Sequence, residues 1–400
     1  MIHVAVLGFG NIGGGVVELL EKNRNLITDV SAEEINVKYI LDIRDFSDHP
    51  LAYKIVSDFS VIAEDPEISV VIETMGGTHP AYDFTLSLLK AGKHVVTSNK
   101  EVVANYGDEL LKVAAEHNVK YLFEASVGGG IPIIRPMMHS LVGDSIYEIN
   151  GILNGTTNYI LTKMAQDGDT LYDALGMAQT LGYAEKNPSA DINGQDAGRK
   201  ICILAAIATG KLVSPEQVET TGIASITQRE IADAGKLGYA LKLIASMTVL
   251  ENGKLQMLVA PRFVAKSNPL ASVDDVFNGI MVRGRAVGDV MFYGKGAGKY
   301  PTASAVISDI IEIVSNVHPN AKPMLWERAD AQILADVQTV PCRFYVRIAG
   351  DTHPDFAWER ISDADGQIAF LTPVMTEQQL IQNIKTQNLE SCSVVRVMDV

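Results

Sequence analysis

The chain opens with a short β-branched run, Ile2–Leu7, which breaks into glycines and continues as a helical pattern to about Asn23. The same change of period recurs. Strand-like runs at Asn36–Ile43, Ser69–Thr74, His94–Thr97 and Lys120–Ala125 alternate with helical stretches that end near Lys90 and His117. Strands separated by helices predict βαβ units and a doubly wound parallel sheet over residues 1–125. After about Ser126 the texture changes. Strand-like runs at Ser145–Leu153, Leu255–Val264 and Val287–Phe292 mix with helices at Thr157–Asp167 and Asp196–Thr209, which predicts a second α+β domain with a mixed sheet over 126–300. A long helix over Thr302–Val317 is expected to return to the first domain and complete it with residues 300–320. Residues 335–400 read as a small third unit: strand Arg343–Ile348, turn Asp351–Pro354, helix Asp355–Ile361, strand Gln367–Val374, helix Thr376–Thr386 and strand Ser391–Val400.

Composition narrows the partners. With 33 basic and 48 acidic residues the formal net charge is -15, which disfavours phosphate backbones and anionic lipid surfaces, so neither nucleic acid nor membrane is expected. The longest strongly apolar run, near Ile201–Ala208, is far too short to span a bilayer. No basic segment precedes the first apolar run, so no export signal is expected. Three widely spaced cysteines, Cys202, Cys342 and Cys392, give no disulfide framework and point to a reducing cytoplasm.

The strongest local signal is G-x-G-x-x-G at Gly8, Gly10 and Gly13, directly after the first strand and opening a helix. The first glycine permits the tight turn, the second lets a pyrophosphate approach the backbone, and the third lets helix pack on strand. With Phe9, Asn11 and Ile12 between them, these residues are expected to bind a dinucleotide, in a Rossmann-type α/β sheet. The second strand ends Leu41-Asp42-Ile43-Arg44-Asp45. A carboxylate there favours the ribose hydroxyl of NAD and an arginine the phosphate of NADP. Both are present, so either cofactor remains open.

Hydride exchange at a carbonyl needs a metal or a proton donor. The histidines are scattered and no Cys/His cluster has zinc spacing. No cysteine lies in an electropositive context suited to acyl-enzyme chemistry. A side-chain acid/base remains. Lys100 follows the strand His94–Thr97 at its carboxyl end, where doubly wound sheets bind ligands. Lys200 follows Asp196 by four residues on one helical face, and the apolar ICILAAIA downstream predicts that the helix is buried. A buried lysine needs a partner or a task, and desolvation brings its pKa toward the range useful for proton transfer. Asp196 serves as that partner or as a residue of the first helical turn after Asn193.

Several long segments resemble homoserine dehydrogenase: GILNGTTNYILTKM (Gly151–Met164), LGYAEKNPSADINGQDAGRKICILA (Leu181–Ala205), TSNKEVVA (Thr97–Ala104), EASVGGGIPII (Glu124–Ile134) and GAGKYPTASAVISDI (Gly296–Ile310). The resemblance runs in order over residues 1–320. It implies reversible NAD(P)-dependent interconversion of L-homoserine and L-aspartate 4-semialdehyde, a step toward threonine, methionine and isoleucine. On that resemblance Lys200 is the general acid/base, with Lys100 beside the nicotinamide and substrate. Glu185 and Asp196 bind the substrate, and Gly182, Gly298 and Arg44 lie near the cofactor. The Glu124 side chain and the carbonyls of Val127, Gly129 and Ile131 correspond to a sodium site, for which a plain turn is the alternative. The family resemblance also implies a homodimer, formed through the sheet of the second domain, or a homotetramer. Residues from about 340 resemble a shortened ACT domain, an amino-acid-binding module whose expected effector is threonine. The rival readings are a dehydrogenase of another amino-acid-derived alcohol and a dinucleotide sensor without catalysis.

Overall fold

A computed structural model describes residues 1–316, 322–350, 354–357, 359–364 and 366–399. They fall into two compact units. Unit 1 comprises residues 1–143, 202–215 and 294–329; unit 2 comprises 144–201, 216–293 and 330–400.

Unit 1 carries a six-stranded parallel sheet of β1 (Ile2–Leu7), β2 (Ile35–Leu41), β3 (Ile55–Val56), β4 (Ile68–Glu73), β5 (His94–Thr97) and β6 (Tyr121–Leu122). Its spatial order is β3-β2-β1-β4-β5-β6, the doubly wound arrangement expected from the alternating pattern. The order reverses at β1, which pairs with β2 on one side and β4 on the other. Ligands of such sheets bind outside the strand carboxyl ends at that switch point. Val4, Val6, Ile72 and Val96 are fully buried, because a parallel sheet is covered on both faces. The helix Lys299–Val314 packs its Ala303, Val306 and Ile310 into this core beside Val16 of the first helix, Asn11–Lys22.

Unit 2 is built on a mixed sheet: β7 (Ile146–Ile152), β8 (Tyr239–Val249), β9 (Leu255–Ala265), β10 (Phe277–Gly284), β11 (Gly288–Lys295), β12 (Phe344–Ala349), β13 (Glu359–Ala364), β14 (Gln367–Leu371) and β15 (Ser391–Met398). The order along the sheet is β11-β10-β7-β8-β9-β15-β12-β14-β13. β8 and β9 form an eleven-residue antiparallel ladder from Tyr239↔Ala265 to Val249↔Leu255. Neither β8 nor β10 is evident from periodicity. β8 is a near-continuous apolar run, which a sequence alone cannot separate from buried helix, and β10 has Asn278, Gly279 and Arg283 interrupting its apolar residues.

Two features of the C-terminal residues differ from expectation. Their strands are continuous with the unit 2 sheet, since β15 pairs in parallel with β9, rather than forming a unit of their own. Among the described residues no helix forms at the expected Asp355–Ile361; Glu359–Ala364 is a strand antiparallel to β14. Ala364 pairs with Gln367, and ladder pairing overrides helical propensity there; the sequence Asp-Gly between them is one that favours hairpins. The turn expected at Asp351–Pro354 lies, for its first three residues, outside the described residues, as does Val400.

Candidate functional site

The glycine turn in unit 1 has the geometry that its spacing predicts. Gly8, at φ +90, stands directly after β1, and its amide donates to Leu41 O at 2.8 Å. A Cβ on Gly13 would lie 2.0 Å from Gly8 O and 2.8 Å from Thr74 Oγ1, so only glycine allows helix and strand this close. A Cβ on Gly10 would meet nothing within 4 Å. The helix Asn11–Lys22 starts there with no side-chain cap and no acidic residue in its first turn, leaving N–H groups and the positive end of the helix dipole toward an anion. Asn11 is exposed and Ile12 half-buried at this start. The Phe9 ring packs edge-on against Phe46 and His49, while its amide donates to Asp42 Oδ2 at 2.8 Å.

Asp42 and Arg44 form one unit at the end of β2. Arg44 donates to Asp42 from its amide (3.0 Å), Nε (3.0 Å) and Nη2 (2.7 Å), which holds the carboxyl well below the usual range. The Asp42 oxygens are thus occupied, and the Arg44 guanidinium is exposed above them. Beside this pair lies a cleft of about 480 Å³ lined by Gly8, Ile43, Phe59, Met75 and Phe84, apolar and wide enough for an adenosine. These features fit a dinucleotide.

Next along the sheet, Asn99 caps the helix Lys100–Glu116, its Oδ1 accepting from the amides of Glu101 and Val102. Lys100 is the first residue of that helix, where the dipole disfavours a cation. A charge kept there against the dipole suits a site for anionic groups. At the end of β4 stands a carboxyl, Glu73, that no sequence motif singles out. Glu73 is fully buried; Thr97 Oγ1 and the Met75 amide each donate to it at 2.6 Å. Burial outweighs these bonds and pushes Glu73 up to about 7.

The part of the helix Gln195–Thr209 that belongs to unit 2, residues 195–201, brings Asp196 and Lys200 one turn apart, both buried. Lys200 Nζ donates to Asp196 Oδ2 at 2.8 Å and to Leu153 O at 2.7 Å. Asn154 ties in the adjacent motif. Its Nδ2 donates to Asp196 Oδ2 (2.9 Å) and Asp191 Oδ1 (2.7 Å), and its Oδ1 accepts from the Thr157 amide at the start of the helix Gly155–Gln166. The backbone carbonyl at the end of β7 and the NGTT turn therefore fix the ammonium group in place. Asn154 and Asp191 were not selected from sequence; the signal was the asparagine standing at a helix N-cap. Glu185 is not part of this buried cluster. It is exposed in the loop after Gly182, with its carbonyl accepting from Gln179 Nε2. Gly182 belongs to unit 2, and Gly298 caps the helix Lys299–Val314 in unit 1.

The Glu124–Ile131 segment lies in unit 1. Glu124 is buried, its two oxygens accepting from the amides of Ile133 (2.7 Å), Ile134 (2.9 Å) and Arg135 (2.6 Å). Gly129, at φ +58, is pressed on Gly296. The Ile131 amide bonds Gly128 O, and the Ser126 hydroxyl is buried with no partner. Among the described residues no group of three or more His, Cys, Asp or Glu could hold a metal ion, and no helix is long and apolar enough to cross a membrane.

A glycine turn shaped for a dinucleotide in unit 1 and a buried lysine paired with a carboxylate in unit 2 are the equipment of a nicotinamide-dependent oxidoreductase. Comparison with known proteins makes this specific. The family model for homoserine dehydrogenase matches residues 132–311, and the model for the homoserine dehydrogenase NAD-binding domain matches residues 8–124. The homoserine dehydrogenase of Synechocystis sp. is 42% identical over 86% of this chain and 82% of its own length. The crystal structure of a homoserine dehydrogenase from Thiobacillus denitrificans superimposes with a TM-score of 0.89 at 33% identity, covering 100% of this chain and 98% of that one. A hyperthermophilic archaeal homoserine dehydrogenase mutant, solved in complex with NADPH, matches with a TM-score of 0.68 at 30% identity over 80% of this chain and 99% of that chain. The chain belongs to the homoserine dehydrogenase family.

Proposed function

We propose that Lys200 is the general acid/base in the NAD(P)-dependent interconversion of L-homoserine and L-aspartate 4-semialdehyde. The observation that carries this role is the buried Lys200–Asp196 pair anchored to Leu153 O and Asn154. A nicotinamide bound at the glycine turn would supply or accept the hydride. In reduction the Lys200 ammonium hands a proton to the aldehyde oxygen; in oxidation the neutral amine takes it from the alcohol. Asp196 positions the amine and, with Glu185, offers carboxylates to the substrate ammonium. Lys100 supplies a second positive charge for the substrate or the oxyanion.

We read the cofactor as NADP(H) in preference to NAD(H). Asp42 is occupied by the Phe9 amide and by Arg44, whereas the Arg44 guanidinium is exposed for a phosphate. The archaeal relative solved with NADPH agrees with that reading. The Glu124–Ile131 turn is read as a monovalent-cation site of structural role, with the Glu124 carboxylate and the carbonyls of Val127, Gly129 and Ile131 as ligands. The unpartnered Ser126 hydroxyl supports an oxygen-rich pocket. The chain is further read as a cytoplasmic homodimer or homotetramer; its three widely spaced cysteines suit a reducing compartment. Threonine is the expected effector of the C-terminal strands; turnover that ignores threonine assigns those strands to assembly.

The test follows nicotinamide absorbance with homoserine, serine and threonine as substrates, using NADP and NAD separately. Oxidation of homoserine with NADP above all other combinations supports the reading. A faster reaction with another hydroxy amino acid overturns the substrate assignment.

A further inference from the structure

One face of the unit 2 sheet holds a polar cleft that the reaction above does not use. Strand alternation puts Ser246 and Thr248 of β8 and Gln256, Leu258 and Arg262 of β9 on the same side, where they line a cavity of about 240 Å³. Arg396 of β15 borders it as well, and Arg262 and Arg396 are direct partners in the parallel β9–β15 register. Like charges facing each other across strands are unfavourable.

The two arginines are not equally neutralised. Arg396 Nη2 donates to Glu377 Oε2 at 2.6 Å and Nη1 to Cys342 Sγ at 3.6 Å. Arg262 has only a neutral partner: Nη2 donates to Ser246 Oγ at 2.6 Å, while Nε is buried with no acceptor. Among the described residues no carboxylate forms an ion pair with it. Burial, and next the charge of Arg396, lower the Arg262 guanidinium to about 10, so it stays charged at neutral pH. A half-buried guanidinium beside a second one, with its Nε buried and unused, is short of an anionic partner. The acidic Glu148 and Asp399 at the same cleft disfavour a multiply charged phosphate there. A single planar carboxylate matches the arginine fork.

We propose that this cleft is a binding site for a small organic carboxylate, held by Arg262 with Arg396 beside it. The site shares no residue with the Lys200 cluster, so it stands or falls independently of the catalytic reading.

The experiment titrates acetate, succinate and inorganic phosphate into the full-length protein by calorimetry, for wild type, Arg262→Met and Arg262→Lys. Expected are saturable binding of a carboxylate by wild type, at least tenfold weaker binding by R262M, a smaller loss for R262K, and unchanged homoserine turnover in all three. R262K, which keeps the charge, gives the readout if R262M does not fold. Equal carboxylate binding by wild type and both variants overturns the proposal, as does phosphate binding more tightly than either carboxylate. Sedimentation supplies a second arm. If R262M dissociates a larger assembly while no free carboxylate binds wild type, the missing anion belongs to a second copy, and the small-ligand site is wrong.

Discussion

Lys200 Nζ lies 2.8 Å from Asp196 Oδ2, one helical turn away, and both side chains are withdrawn from solvent. The pair is held from outside its own helix by Leu153 O and Asn154 Nδ2. Removing Asp196 therefore does more than delete a charge. Asp196→Ala leaves the ammonium group and the Asn154 amide without their shared acceptor, and the expected destabilisation is about 3–5 kcal/mol. Asp196→Asn keeps the shape and is expected to cost less. Urea unfolding of both variants checks the order; equal losses would contradict it.

The second and third glycines of the turn separate folding from binding. Gly13→Ala drives a methyl into Gly8 O and is expected to cost about 1–3 kcal/mol together with dinucleotide affinity. Gly10→Ala enters open space and is expected to cost at most about 1 kcal/mol, while the methyl fills the approach to the phosphates and raises KM for the dinucleotide. Melting temperatures alongside KM distinguish the two effects. A Gly10→Ala variant with normal KM would mean that the phosphates bind elsewhere.

Arg44 is expected to set the choice of cofactor. Arg44→Ala removes one charge-assisted contact to a phosphate, so kcat/KM with NADPH should fall about 10- to 100-fold while that with NADH changes little. Parallel losses with both cofactors would assign Arg44 only to holding Asp42.

Glu73 gives stability a pH dependence of its own. Its ordinary value is 4.5 and burial raises it to about 7. The folded state thus keeps a proton that the unfolded state releases between those values. The contribution is full below about pH 4.5, falls as pH rises, and is gone above about pH 7, a change on the order of 3 kcal/mol. Glu73→Gln should flatten that part of the stability curve. Denaturant midpoints measured across the window, with identical slopes in both proteins, would rule this out.

How much of this was legible beforehand depended on range. The glycine turn and the Asp196–Lys200 spacing are local patterns, and each carried its own geometry into the structure. Residues 359–361 differ from expectation because their local propensity is helical while ladder pairing with β14 makes them a strand. Glu73 ends an apolar strand, and its burial follows from β1 and β5 flanking it, which no local pattern encodes. The Asp42–Phe9 bond and the Asn154 bridge to Asp191 each join residues more than thirty positions apart, so tertiary packing alone creates them.

The most direct measurement is turnover of Lys200→Ala with homoserine and NADP, alongside NADPH binding by fluorescence. The account predicts a fall in kcat of about 10²–10⁴-fold with the dinucleotide dissociation constant unchanged. Turnover near the wild-type rate in a folded variant would contradict it.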